Sequence, residues 1–169
     1  MNAEERREKI VEVLEKSKKP IPGNELAKLF NVTRQVIVQD IAILRASGKD
    51  ILSTSSGYMI ESQRQLVIKK VACRHSREEL RDELMTFVEC GCKVVDVIVE
   101  HPIYGELHGL LMISNSKDVE NFLKNLEEKE ASLLSELTGG IHLHTIEAIN
   151  EDAINKAKSI LKEKGILLE

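Results

Sequence analysis

Leu26-Ala27-Lys28-Leu29-Phe30-Asn31-Val32-Thr33-Arg34-Gln35-Val36-Ile37-Val38-Gln39-Asp40-Ile41-Ala42-Ile43-Leu44-Arg45-Ala46-Ser47-Gly48 reads as two helices and the turn between them. Residues 24–30 form the first helix, with Leu26, Leu29 and Phe30 expected to turn inward. Asn31-Val32 makes a tight turn. Thr33 is a good N-cap for a second helix over 34–47, which Gly48 ends. Ile37, Ile41 and Leu44 share one arc of that helix and face the core. Gln35, Gln39 and Ala42 lie opposite, with Val38 beside them and Arg34 in the first turn. Two short helices so closely joined are a helix-turn-helix.

Moving outward, residues 4–17 form an upstream helix with Ile10, Val13 and Leu14 as its stripe. Pro20-Ile21-Pro22-Gly23 breaks the chain. Downstream, residues 51–60 read as a hairpin around a Ser/Thr/Gly turn, the wing of a winged helix. The exposed helix side suits base reading: glutamine pairs with adenine, arginine with guanine or phosphate, and Val or Ala with a thymine methyl. The DNA-contacting set is therefore Thr33, Arg34, Gln35, Val38, Gln39 and Ala42, with wing hydroxyls Ser53, Thr54 and Ser55 toward phosphates. The stretch 26–48 resembles the winged helix at the front of biotin-repressor-type regulators. That resemblance implies DNA binding but names no signal.

Bulk charge does not make this argument. The net charge is -4, with 10 Lys+Arg against 9 Asp+Glu over 1–62 and 14 against 19 over 63–169. The head is merely balanced, so its DNA binding rests on the motif. The amino terminus is charged and amphipathic, unlike a signal peptide, and no apolar run is long enough for a membrane span. Cys73, Cys90 and Cys92 are an odd count without a secretion signal, which implies reduced thiols and a cytoplasmic location. A lone Cys90-Gly91-Cys92 is weak as a metal pair, and all three are read as packing residues.

A polar joint at 61–64 leads into a second domain, so the division is 1–62 and 63–169. Strands are expected over 66–73, 93–99 and 106–113, and from Gly140 to about 149. Helices are expected over 77–89, 116–129 and from 151 to Gly165. Ser76 and Glu79 form a capping box at the first of these helices, and residues 130–138 are left unassigned. The fold class is α+β: a winged helix-turn-helix followed by an α/β sandwich of ferredoxin-like β-α-β-β-α-β order plus a carboxy-terminal helix.

All five histidines lie in that second domain. On the strand Gly140-Ile141-His142-Leu143-His144-Thr145, His142 and His144 point the same way, about 7 Å apart. His75 lies where the first strand meets its helix. Glu83, eight residues on, sits at the margin of that helix's apolar stripe. Three imidazoles and a carboxylate suit Ni²⁺, Zn²⁺, Co²⁺ or Fe²⁺. His101 and Tyr104, in the loop 100–105, are read as ligand contacts, against the alternative of a loop anchor. His108 is read as structural.

The segments Glu100-His101-Pro102-Ile103-Tyr104-Gly105-Glu106-Leu107 and Ser132-Leu133-Leu134-Ser135-Glu136-Leu137-Thr138-Gly139-Gly140-Ile141-His142-Leu143-His144-Thr145-Ile146-Glu147 resemble the three-histidine (3H) domain. That domain follows this same winged helix in niacin-responsive repressors of bacteria, and the resemblance spans nearly the whole chain. It implies a homodimeric repressor of NAD-biosynthesis and niacin-salvage genes. The operator would be double-stranded DNA and the co-repressor nicotinic acid. It also implies one divalent metal per chain, nickel or zinc, on His75, Glu83, His142 and His144. Two other readings use the same residues: a metal-responsive regulator without an organic ligand, and a metal-dependent hydrolase fused to a DNA-binding head. Against the hydrolase stands the lack of an evident pairing of general base and oxyanion donors.

Overall fold

The computed structural model describes residues 1–60 and 66–169. The joint read at 61–64, and with it the boundary between 62 and 63, lies outside the described residues. The chain divides into two compact units, Met1–Arg64 and Gln65–Glu169. Among the described residues, no helix is long and apolar enough to cross a membrane.

The first unit contains α1 (Ala3–Lys16), α2 (Gly23–Phe30), α3 (Arg34–Ala46) and a hairpin of β1 (Leu52–Thr54) with β2 (Gly57–Met59). Asn2 and Glu5 close a capping box on α1. Asn31 takes the left-handed conformation, which ends α2 and sends the chain into α3. Thr33 caps α3 by accepting from the Val36 N–H. Ile10, Leu14, Leu26 and Ile37 are wholly buried, with Ile41 and Leu44 beside them. Leu29, expected to turn inward, is 60% exposed; an eight-residue helix has room for a narrow apolar stripe only, and Leu26, Ala27 and Phe30 fill it.

The wing is tied down by a third rung: Ile21 and Tyr58 exchange both backbone N–H···O bonds, at 2.8 and 2.9 Å. This close approach requires Gly57, because a Cβ there would meet the Ile21 carbonyl oxygen at 2.3 Å.

Asp40 is a buried charge on α3, paired with Arg6 through Nε–Oδ2 at 2.6 Å and Nη2–Oδ1 at 3.2 Å. This pair joins α1 to the helix that carries the candidate base-reading face. Asp40→Asn is expected to destabilise the first unit by about 1.5–3 kcal/mol, the scale of a charged hydrogen bond. Amide hydrogen exchange in α1 and α3 reads this directly. Unchanged exchange would mean the pair contributes no net stability.

The second unit runs β3 (Val67–Arg74), a 3-10 turn (Arg77–Glu79), α4 (Leu80–Glu89), β4 (Lys93–His101), β5 (Gly105–Ile113), α5 (Ser116–Glu128), a 3-10 turn (Leu134–Thr138), β6 (Ile141–Ala148) and α6 (Glu151–Glu163). The expected capping box at Ser76 is present, but it starts the short 3-10 turn that precedes α4. The loop expected over 100–105 shrinks to a turn at 102–104, and the unassigned stretch contains the second 3-10 turn.

The sheet is antiparallel in the order β3-β6-β4-β5. The split βαβ is present, since β3 and β4 run parallel with one strand between them. In the ferredoxin-like arrangement the third strand fills that gap; here the fourth, β6, fills it and β5 is an edge. The composition explains this. The apolar run 94–99 tolerates a strand on each side, whereas Glu106 and His108 are exposed on β5, as an edge strand requires. Leu84, Phe87, Val94, Ile146, Ile154 and Leu161 form the centre of the core between sheet and helices. The order matters for the site because it makes β6 an inner strand, paired on one side with β3 and on the other with β4.

Candidate metal centre and DNA-reading face

Strand alternation turns His142 and His144 toward α4. Their rings lie 4.7 Å apart, centroid to centroid, and the His75 ring lies 4.8 Å from that of His142. Glu83 projects from α4 on the same side as Leu80, Leu84 and Phe87 and has no exposed surface. Its carboxylate is the meeting point. His144 Nε2 lies 2.7 Å from Oε1, while His142 Nε2 and His75 Nε2 lie 2.9 and 2.8 Å from Oε2. The four residues expected to hold a metal are thus brought together.

The other nitrogen of each ring fixes its chemistry. His75 Nδ1 faces the Ser76 carbonyl at 2.7 Å, His142 Nδ1 the Gly140 carbonyl at 2.9 Å, and His144 Nδ1 the Asp96 carbonyl at 2.6 Å. A carbonyl only accepts, so each Nδ1 carries a proton and donates it. In the neutral rings this leaves three Nε2 lone pairs and one carboxylate facing one another in a buried space. Such an arrangement needs a cation. His75 Nε2 shows it most plainly: it is buried and close to Glu83, yet has no hydrogen-bond partner.

The same carboxylate sets how its neighbours titrate. Burial pushes the Glu83 carboxyl up, but the three rings around it, His144 first, outweigh this and hold the group well below its usual range. Burial pushes His144 and His75 down, and Glu83 more than reverses this, so both lie above the ordinary histidine value. A metal ligated there would compete with protons for these nitrogens.

Three supporting features escaped the sequence reading. The first is Asp96. The β4–β6 register slips between Val94↔Ile146 and Ile98↔Leu143. There Asp96 uses its carboxylate to accept from Thr145 N and Thr145 Oγ1, while its carbonyl accepts from His144. A lone acid inside the run 94–99 was the available signal. The second is Gly140, whose φ is +92°; a Cβ there would meet the His75 carbonyl oxygen at 2.5 Å.

The third is Cys73. Read as a packing residue, it stands directly across from His142 in the β3–β6 register. Its Sγ, a Glu83 oxygen and a His142 nitrogen all lie within 4.8 Å of one another. Burial, together with the Glu83 carboxylate, pushes its thiol up. Period-two alternation along Val71, Cys73 and His75 was the signal for it. Cys92 is core, as expected, and burial pushes its thiol up to about 11.

His101 and Tyr104 are not joined to this cluster by any hydrogen bond or ring contact among the described residues. His101 Nδ1 accepts from the Ile103 and Tyr104 N–H groups at 3.1 and 3.2 Å and its ring lies tilted against that of Tyr104, which is 74% exposed. That is the loop-anchor geometry. The pairing Ile98↔Leu143 does put this turn at the Gly140 end of the sheet. His108 lies outside the cluster, paired with Glu106 on the exposed side of β5. A cleft of about 530 Å³ opens beside His75 and Gly140, lined also by Arg74, Arg77 and Leu133.

In the first unit, Arg34, Gln35, Gln39 and Ala42 are exposed on α3 and Val38 is half-buried. These residues share the side away from the core, as a groove-reading helix requires. Two expected DNA contacts are committed elsewhere: the Thr33 hydroxyl caps α3, and Thr54 Oγ1 donates to the Gly57 carbonyl and accepts from Ser56 N. Ser53 and Ser55 are exposed on the wing.

Comparison with known proteins covers both units. The 3H domain family matches residues 68–169 and an HTH domain family matches residues 6–59. A probable transcription repressor NiaR of Thermotoga maritima is 44% identical over 166 residues, spanning 98% of this chain and 95% of that protein. The transcription repressor NadR of Bacillus subtilis is 42% identical over 168 residues, spanning 97% and 93%.

Proposed function

Given that the chain belongs to the 3H-domain family of helix-turn-helix transcription repressors, we propose that it silences genes of NAD biosynthesis and niacin salvage, as a homodimer, with nicotinic acid as co-repressor and one divalent metal per chain. It is a DNA-binding repressor and not an enzyme. The observation that carries the sensing half is the convergence of three Nε2 lone pairs on the Glu83 carboxylate. Three nitrogens and one oxygen would suit nickel or zinc, and an ion that takes more than the protein's own donors would keep a position for a ligand.

A cation held there would supply that position to the ring nitrogen or carboxylate of nicotinate. The chain's own residues do the rest. The cleft beside His75 admits the planar ring, and Arg74 and Arg77 suit its carboxylate. His101 and Tyr104, at the same end of the sheet, are the further contacts we assign. Ligand binding is then linked to the dimer arrangement that sets two α3 helices about 34–36 Å apart, in successive major grooves. The ligand acts only as far as it prefers that arrangement, and a coupling of about 1–3 kcal/mol corresponds to roughly a 5–150-fold effect.

Operator fragments selected from genomic DNA test this, with affinity measured with and without nicotinate, each with and without chelator. Tight binding is expected only with metal and nicotinate together. Affinity that follows metal and ignores nicotinate would replace this reading with a pure metal sensor. On the DNA side, Gln39→Ala is expected to cost about 1–3 kcal/mol of operator affinity while metal content stays normal. Unchanged affinity would mean the reading face of α3 is rotated from the one assigned.

A further inference from the structure

The Glu83 carboxylate has a neighbour besides the three imidazoles. On the face of β3 shared with the histidines, Val71 stands opposite His144 and Cys73 opposite His142. Val71 fills its place as an aliphatic. Cys73, with no exposed surface, puts sulfur at the equivalent place opposite His142. Directly paired residues on neighbouring strands hold their Cβ atoms about 4.5–5.5 Å apart, within reach of a shared ligand. Sγ, the Glu83 oxygen and the His142 nitrogen already lie within 4.8 Å of one another. The buried His75 Nε2, without a hydrogen-bond partner, points into the same space.

We propose that Cys73 is a fifth donor to this metal, a soft thiolate joining three imidazoles and a carboxylate, and that it biases the site toward thiophilic divalent ions. This rests on the metal reading above. Three imidazoles and a carboxylate already place manganese and iron(II) below nickel and zinc. A thiolate widens that gap, most of all for zinc.

The full chain loaded with Co²⁺ tests it. A thiolate-to-cobalt charge-transfer band in the near ultraviolet is expected. Cys73→Ser should remove that band, keep the visible d–d bands, and weaken zinc binding roughly tenfold. Cys90→Ser, the control, should keep it. X-ray absorption of the wild-type zinc protein gives the same answer without a variant, through a sulfur scatterer at about 2.3 Å. Metal bound through nitrogen and oxygen alone, with no sulfur scatterer and no charge-transfer band, would overturn the Cys73 assignment and leave the four-ligand site standing. A chain that takes up no metal would overturn both.

Discussion

Glu83→Gln is expected to weaken metal binding by roughly a hundredfold or more while both units stay folded. Glutamine has the shape of glutamate but not its charge, so the substitution isolates electrostatics from packing. The carboxylate has no exposed surface and receives all three imidazole Nε2 atoms within 2.9 Å. Removing one partner from a buried charge cluster typically costs about 3–5 kcal/mol, and each 1.4 kcal/mol is a factor of ten. Competition with a chromophoric chelator measures the loss, and far-ultraviolet circular dichroism checks the fold. Wild-type metal affinity in this variant would place the metal elsewhere.

The second large effect involves no metal ligand. Gly140→Ala is expected to weaken metal binding by about 10–100-fold, the usual cost of disturbing the groups that orient ligands. Gly140 has φ +92°, and an added Cβ would lie 2.5 Å from the His75 carbonyl oxygen. Its own carbonyl orients His142 and also accepts from His75 N at 3.4 Å. One methyl group therefore pushes on two ligands at once. Gly139→Ala is the internal control. It too is left-handed, at φ +63°, but its Cβ would meet nothing within 4 Å. It should cost only the backbone term of about 1–2 kcal/mol in stability and leave metal affinity near wild type. Equal metal loss in the two variants would mean general unfolding of the turn, and the close approach to His75 would not be its cause.

The readable parts of this chain were those set by local periodicity. Thr33, Ile37, Ile41 and Leu44 define α3 without help from distant residues, and the structure agrees within a residue at its end. His142 and His144 share a face because they sit two apart on a strand, and Glu83 comes to them because it lies on the inner side of α4. What escaped depends on pairing between distant strands. Cys73 looked like a small apolar residue until β3 was set against β6, which placed it across from His142. The value of Asp96 lies in a register slip that no periodicity announces. Asp40 was passed over because its partners, Arg6 and Arg7, are on another helix. His101 and Tyr104 were assigned by residue type in a loop, and a histidine that satisfies its own turn has the same local sequence as one that meets a ligand.

A metal in the histidine cluster is expected to recruit the organic ligand. Calorimetric titration of nicotinate into the metal-loaded and the chelator-stripped protein tests that most directly. Saturable binding, one nicotinate per chain, is expected with metal, and none without it. Equal binding in both states would contradict this and separate nicotinate recognition from the histidine cluster.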